Sequence, residues 1–298
     1  MTPLSLLTGF LGAGKTTLLN RVLSESHGIR MAVIVNEFGE VGIDGALVEG
    51  AQGGVVELAN GCLCCATRGR LLVAIHAVLQ ADPPPDAILV ETSGLADPFP
   101  VLSELAHSSL VETINVDGVI TVVDAENFDR NLDSAEAAFQ QITAADILLV
   151  NKTDLVGPDI PGLIERGIRV LNPSARVLSC VAGDVPLSVL IGARTGAKPL
   201  PADTGHGHDG FESTVLDAAT PLDPERLETW LGALPGDVFR AKGFVRVAPD
   251  RNQLTVSAVG TRYRLSPTGS PGAVDRLVVI GRNLDRAGLQ AGLDACRA

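Results

Sequence analysis

Gly9-Phe10-Leu11-Gly12-Ala13-Gly14-Lys15-Thr16 fits the pattern GxxxxGK[ST] in full, and the reading of this stretch decides the fold. Residues 4–8 before it form a short apolar run. After it, Leu18, Leu19, Val22 and Leu23 recur at helical spacing. A glycine loop between a strand and a helix has a mechanism: backbone N–H groups of the loop and first helical turn face phosphate oxygens, and the helix dipole favours the anion. Gly9, Gly12, Ala13 and Gly14 then supply the cradle, Lys15 reaches the β- and γ-phosphates, and the Thr16 hydroxyl binds Mg²⁺.

Working outward, residues 31–36 (MAVIVN), 87–91 (AILVE), 117–123 (DGVITVV) and 147–151 (ILLVN) repeat the apolar-run pattern, separated by helical patterns. Such continuous Val/Ile/Leu strands predict an α/β fold: a parallel sheet with helices on both faces, here of the P-loop NTPase kind. Open sheets of this type bind ligands at the carboxyl ends of their strands. The residues there are the loop after Thr8, then Glu91, Asp124 and Asn151.

Asn151-Lys152-Thr153-Asp154 follows one of these strands. A carboxylate at Asp154 can accept hydrogen bonds from the ring N–H and the exocyclic amino group of guanine, a pair that adenine does not offer. Alone, four residues are a weak pattern, and an Asn–Asp turn is the plain alternative. Behind a phosphate loop they point to GTP over ATP. Glu91-Thr92-Ser93-Gly94 ends another strand. Glu91 stands where P-loop NTPases hold the carboxylate on the Mg²⁺ side, and Gly94 lets backbone approach the γ-phosphate. The plain alternative is an acidic helix start.

Cys62-Leu63-Cys64-Cys65 places three thiols within four residues. Thiolates select soft ions such as zinc, cobalt or cuprous copper. A redox relay and three small residues in a glycine turn are the competing readings. The acidic stretch 36–44 lies where a nucleotide switch would sit, and Glu37 within it is a candidate neighbour of a metal. His206 and His208 read as polar spacer, His107 as a surface residue, and Cys180 and Cys296 as buried cysteines.

The bulk numbers set the frame. A length of 298 residues suggests two domains. The expected division is a nucleotide domain over 1–197, a Pro/Gly/Asp/His-rich linker over 198–210, and a smaller α+β domain over 211–298. In that last part, strands are expected at 211–216, 244–247, 254–256 and 277–280, with helices at 224–234 and 284–296. A net charge of −12 argues against nucleic acid as a standing partner. Residues 2–7 lack the basic start of a signal peptide, and no apolar run is long enough for a membrane helix, so a cytoplasmic location is expected.

Taken in order, GFLGAGKTTLLN, NEFGEVGID, ELANGCLCC, ETSGLADPFP and NKTDL resemble the CobW family of P-loop GTPases. The stretches AKGF (241–244) and VIGRNLD (279–285) resemble that family's second domain. The resemblance implies a GTP-binding, GTP-hydrolysing metallochaperone using GTP, Mg²⁺ and Zn²⁺ or Co²⁺. It implies delivery of the transition metal to a client metalloprotein, and homo-oligomers are possible. Cys62, Cys64 and Cys65 become ligands of the transferred metal, with Glu37 nearby. Gly9 to Thr17 become the phosphate and Mg²⁺ site, so Thr17 joins it, and Asn151, Lys152 and Asp154 form the guanine segment. The alternative function is a metal sensor or scaffold with a structural nucleotide. No residue reads as an arginine finger, so slow intrinsic turnover is expected.

Overall fold

A computed structural model describes residues 1–24, 28–36, 55–58, 69–191, 211–268 and 274–298. The chain divides into two compact units, Met1–Leu200 and Pro201–Ala298. The stretch 198–210 expected as a linker lies outside the described residues.

Among the described residues the first unit is built on seven strands: β1 Thr2–Thr8, β2 Met31–Asn36, β3 Val55–Leu58, β4 Ala87–Glu91, β5 Ile114–Asp124, β6 Ile147–Asn151 and β7 Arg176–Ser179. Their order is β3-β2-β4-β1-β5-β6-β7, and every adjacent pair is parallel. All residues of β1, β4 and β6 are buried. That is why these strands read as largely apolar runs: parallel strands joined by crossover helices are covered on both sides.

The helices are α1 Lys15–Ser24, α2 Arg70–Leu79, α3 Pro98–Ala106, α4 Phe128–Ser134, α5 Glu136–Ala144, α6 Ile160–Leu171 and α7 Leu187–Leu190. Leu71 and Ile75 of α2, with Val101 and Leu105 of α3, join one core with Leu6, Ile34 and Val90. Ile142, Ile164 and Ile168 pack with Leu148 and Val150. Ser5 alternates with Leu4 and Leu6 and so points to the opposite face. There its Oγ donates to the Leu190 carbonyl of α7 at 3.2 Å. Helices therefore lie on both faces, as the sequence predicts.

The second unit pairs β8 Phe211–Asp217, β9 Val238–Val247, β10 Asn252–Val259, β11 Arg262–Pro267 and β12 Arg276–Arg282 in the antiparallel order β11-β10-β9-β12-β8. Leu227 and Leu231 of α8 (Pro224–Gly232) and Leu289 and Leu293 of α9 (Arg286–Asp294) share a core with Leu216, Val256 and Leu277. Asp223 caps α8 by accepting from the Arg226 N–H at 2.9 Å, and Asp285 caps α9 through Gly288 at 3.0 Å. This is the expected smaller α+β domain.

Several details differ from the sequence reading. The strand expected over 244–247 is the end of β9, which begins at Val238 and carries the buried Arg240 within it. β5 begins at Ile114, because Asn115 and Asp117 continue the strand despite their polarity. β11 is an additional strand at the sheet edge. Its Arg262, Arg264 and Ser266 alternate with Tyr263 and Leu265, so no apolar run announces it. β3, only four residues long, is likewise additional.

Candidate phosphate and base site

The loop between β1 and α1 is held by glycines where nothing larger fits. Gly9 has φ +141°, and a Cβ there would lie 2.2 Å from the Val122 carbonyl oxygen. Gly14 has φ +107°, and its Cβ would lie 2.3 Å from Nδ2 of Asn151. Both positions combine a left-handed backbone with a close approach, so any side chain would be strained twice. Gly12 also has positive φ, but its surroundings are open.

Lys15 opens α1 and is 9% exposed. Its Nζ donates to the Gly9 carbonyl at 2.7 Å and the Phe10 carbonyl at 3.4 Å. The ammonium therefore folds back over its own loop, at the helix N-terminus where an anion is favoured. Ala13 is buried and its N–H donates to the Phe10 carbonyl at 3.2 Å. Thr16 is half-buried and Thr17 exposed in the first turn of the helix.

Asn151 joins this loop to the next strand end. It is buried, and its Nδ2 donates to the Ala13 carbonyl at 3.0 Å. Its Oδ1 accepts from the Gly183 N–H at 3.0 Å and lies 3.6 Å from Cys180 Sγ. The amide thus fixes the loop before α1 relative to the turn after β7. A second tie is the ion pair between Arg21 of α1 and Asp184. Lys152 takes a left-handed backbone, φ 62°, and starts the short 3₁₀ turn Thr153–Leu155. The Asp154 carboxylate on that turn is exposed.

Asp124, at the end of β5, is paired in register with Asn151. It is buried and accepts from Lys152 Nζ at 2.8 Å, from Asn127 Nδ2 at 3.1 Å and from the Glu126 N–H at 3.0 Å. Burial pushes its carboxyl up, but the Lys152 ammonium and the Asn127 and Glu126 donors together outweigh that and hold it below the usual carboxylate range.

Glu91 ends β4 in register with Leu7 of β1 and is 7% exposed. Next to it, the Thr92 N–H donates to the Leu7 carbonyl at 2.9 Å. Gly94 sits against the phosphate loop: a Cβ on it would lie 2.8 Å from the Leu11 nitrogen. A glutamate and a threonine hydroxyl are hard oxygen donors of the kind Mg²⁺ takes.

The loop glycines, Ala13, Lys15, Gly94, Asn151 and Lys152 therefore come together at the carboxyl edge of one sheet. Gln141, Gly183 and Asp124 belong to the same neighbourhood without any sequence motif. Asp124 carried one signal, its place at a strand end; Gln141 and Gly183 carried none. Cys62, Cys64, Cys65, Glu37, His206 and His208 lie outside the described residues. Among the described residues, no three His, Cys, Asp or Glu side chains gather to hold a metal. His107 is exposed, with Nδ1 at 2.8 Å from the Ser103 carbonyl. Cys180 and Cys296 are buried, and burial pushes the Cys296 thiol up. Among the described residues, no helix is long and apolar enough to cross a membrane.

Comparison with known proteins adds family information to this geometry. Residues 3–179 match the model of the CobW/HypB/UreG nucleotide-binding domain, and residues 211–297 match that of the cobalamin synthesis protein cobW C-terminal domain. The chain is similar to the zinc chaperone CobW of a Sinorhizobium species, with 31% identity over 98% of this chain and 96% of that one. It is also similar to the zinc chaperone YjiA of Escherichia coli K12, with 31% identity over 100% of both chains. Among solved structures, the Zn(II)-bound YjiA GTPase from E. coli aligns with a TM-score of 0.51 and 27% identity, over 100% of this chain and 99% of that one.

Proposed function

The chain belongs to the CobW/HypB/UreG family of nucleotide-binding proteins, and from that premise we propose that it is a GTP-hydrolysing metallochaperone whose nucleotide state governs its hold on a thiophilic ion such as zinc or cobalt. The hydrogen bond from Asn151 Nδ2 to the Ala13 carbonyl carries the nucleotide half of this reading. It links the loop suited to phosphates with the segment suited to a purine base, so one ligand can span both.

In this account Lys15 exchanges the Gly9 and Phe10 carbonyls for β- and γ-phosphate oxygens. The ammonium is already aimed at the loop, which lowers the reorganisation needed when charge develops on the transferred phosphoryl group. Asp124 holds the Lys152 ammonium by an ion pair, leaving the stem of Lys152 beside the base. Asp154, exposed at the next position but one, accepts from the guanine edge. Thr16 and Glu91 supply oxygen donors on the Mg²⁺ side. When bound, Mg²⁺ neutralises charge on the β- and γ-phosphate oxygens.

Cys62, Cys64 and Cys65, together with Glu37, bind the cargo ion. They stand in sequence between the switch-like stretch 36–44 and Glu91. GTP orders that stretch and favours the metal-binding arrangement; hydrolysis releases it and a client metalloprotein takes the ion. Linkage requires the cargo ion to strengthen GTP binding by the same factor that GTP strengthens metal binding. The names of the relatives, zinc chaperones in two organisms, support zinc as the first ion to test.

Multiple-turnover phosphate release tests the nucleotide half. GTP should be turned over in preference to ATP, and Asp154→Asn should move preference from guanine towards xanthine nucleotides. Equal use of ATP, or indifference to Asp154→Asn, would refute the base assignment.

A further inference from the structure

Gln141 is a buried polar side chain that no motif explains. It lies on α5 and is 1% exposed. Its Nε2 donates to two carbonyls, Gly94 at 3.1 Å and Ala96 at 3.1 Å, so each hydrogen of the amide holds one of them. The Ala96 N–H donates to the Ser93 carbonyl at 3.1 Å and closes the turn. Behind the clamp, the Thr121 hydroxyl of β5 donates to the backbone carbonyl of Gln141 at 2.8 Å.

The opposite side of the turn meets the phosphate loop. A Cβ on Gly94 would stand 2.8 Å from the Leu11 nitrogen and 2.7 Å from Leu11 Cδ2. The Ser93–Ala96 backbone is therefore held between the phosphate loop and a buried amide anchored to the central sheet. An apolar side chain would fill the same space without desolvating an amide. What the amide adds is a fixed direction for two carbonyls, hence for the peptide planes of the turn.

We propose that Gln141 is a positioning residue for nucleotide hydrolysis. It sets the Ser93–Ala96 turn so that Gly94 meets the terminal phosphate, and so lets the site tell a triphosphate from a diphosphate. This rests on the GTPase reading above, in which Gly94 neighbours the γ-phosphate. Gln141 acts through the turn and has no role in holding the diphosphate part, which belongs to the loop before α1.

The test compares the full-length wild type with Gln141→Leu and Gln141→Glu. Affinities for GDP and a non-hydrolysable GTP analogue are measured beside kcat and KM for GTP, with a thermal melt of each variant. Gln141→Leu should keep GDP affinity within about threefold, while losing roughly tenfold in analogue affinity and roughly tenfold in kcat. Gln141→Glu, which sets a carboxylate against two carbonyl oxygens, should lose more in both. Should either variant fail to fold, Gln141→Asn keeps the amide on a shorter stem and is read by the same ratio. Parallel weakening of GDP and analogue, or an unchanged kcat in a folded variant, overturns the proposal. Absence of GTP turnover in the wild type overturns the GTPase reading itself and this role with it, and is recognised because the failure precedes any substitution.

Discussion

In the first unit β4 and β6 are apolar along their bodies, and β1, β4, β5 and β6 carry buried polar side chains at their carboxyl ends: Thr8, Glu91, Asp124 and Asn151. In the second unit burial alternates along a strand instead, as in β12, where Leu277, Val279 and Gly281 are buried and Arg276, Val278, Ile280 and Arg282 are not. The contrast follows from what covers each sheet. Strands between two helical layers have no solvent-facing side, so the groups that can meet a ligand are those where the strands end and the loops begin. Helices on one face of an antiparallel sheet leave alternation as the pattern. A sheet of the first kind concentrates ligand-binding groups on one edge; one of the second kind distributes them.

The difference can be broken most severely at Lys15. Replacing it with Ala should lower kcat for GTP by about 10²- to 10³-fold, because one preorganised donor to the transition state is lost. Phosphate release at saturating GTP checks this, and the melting temperature should barely move. Leu227→Ala in α8 asks the complementary question of the second unit. Its side chain is fully buried, so truncation should cost about 2–5 kcal/mol of unfolding free energy. GDP affinity should remain that of the wild type in the folded variant. Denaturant unfolding and nucleotide titration, run together, separate the two effects.

Asp124→Asn should give the smallest change and the most specific signature. The folded carboxyl is held below its usual range, so its contribution to stability is present above the unfolded carboxylate pKa and is lost as pH falls through the folded one. At neutral pH the variant should therefore melt below the wild type. The gap should narrow once pH drops below about 4, where the unfolded carboxyl begins to protonate. A gap that is constant with pH would remove the Lys152 ion pair as its cause.

Much of this is legible in the sequence. The glycine loop, the apolar strands 87–91 and 147–151, and the residues that end them are local patterns, so the sequence exposes them directly. Gln141 was not legible. A glutamine in a helix reads as surface, and only the packing of α5 on β5 turns it towards the carbonyls of a turn some 45 residues earlier. Gly183 was equally hidden, because its N–H matters only once β7 brings it to Asn151. β11 escaped for the reason the two units differ: an edge strand with arginines at alternate positions has no apolar run. Cys62, Cys64 and Cys65 stand as a sequence pattern alone, and the metal half of the proposal rests on their chemistry and on the named relatives.

The central claim is that nucleotide state sets metal affinity at those cysteines. Titrating Co²⁺ into the reduced protein with Mg²⁺ and either GDP or a non-hydrolysable GTP analogue, while following thiolate-to-cobalt charge-transfer absorption, tests it directly. Binding should be tighter with the analogue and abolished by Cys64→Ser, Cys65→Ser. Cysteine-dependent binding that is equally tight with both nucleotides would contradict the gating and leave a sensor or scaffold. Absence of a thiolate band would contradict the metal assignment altogether.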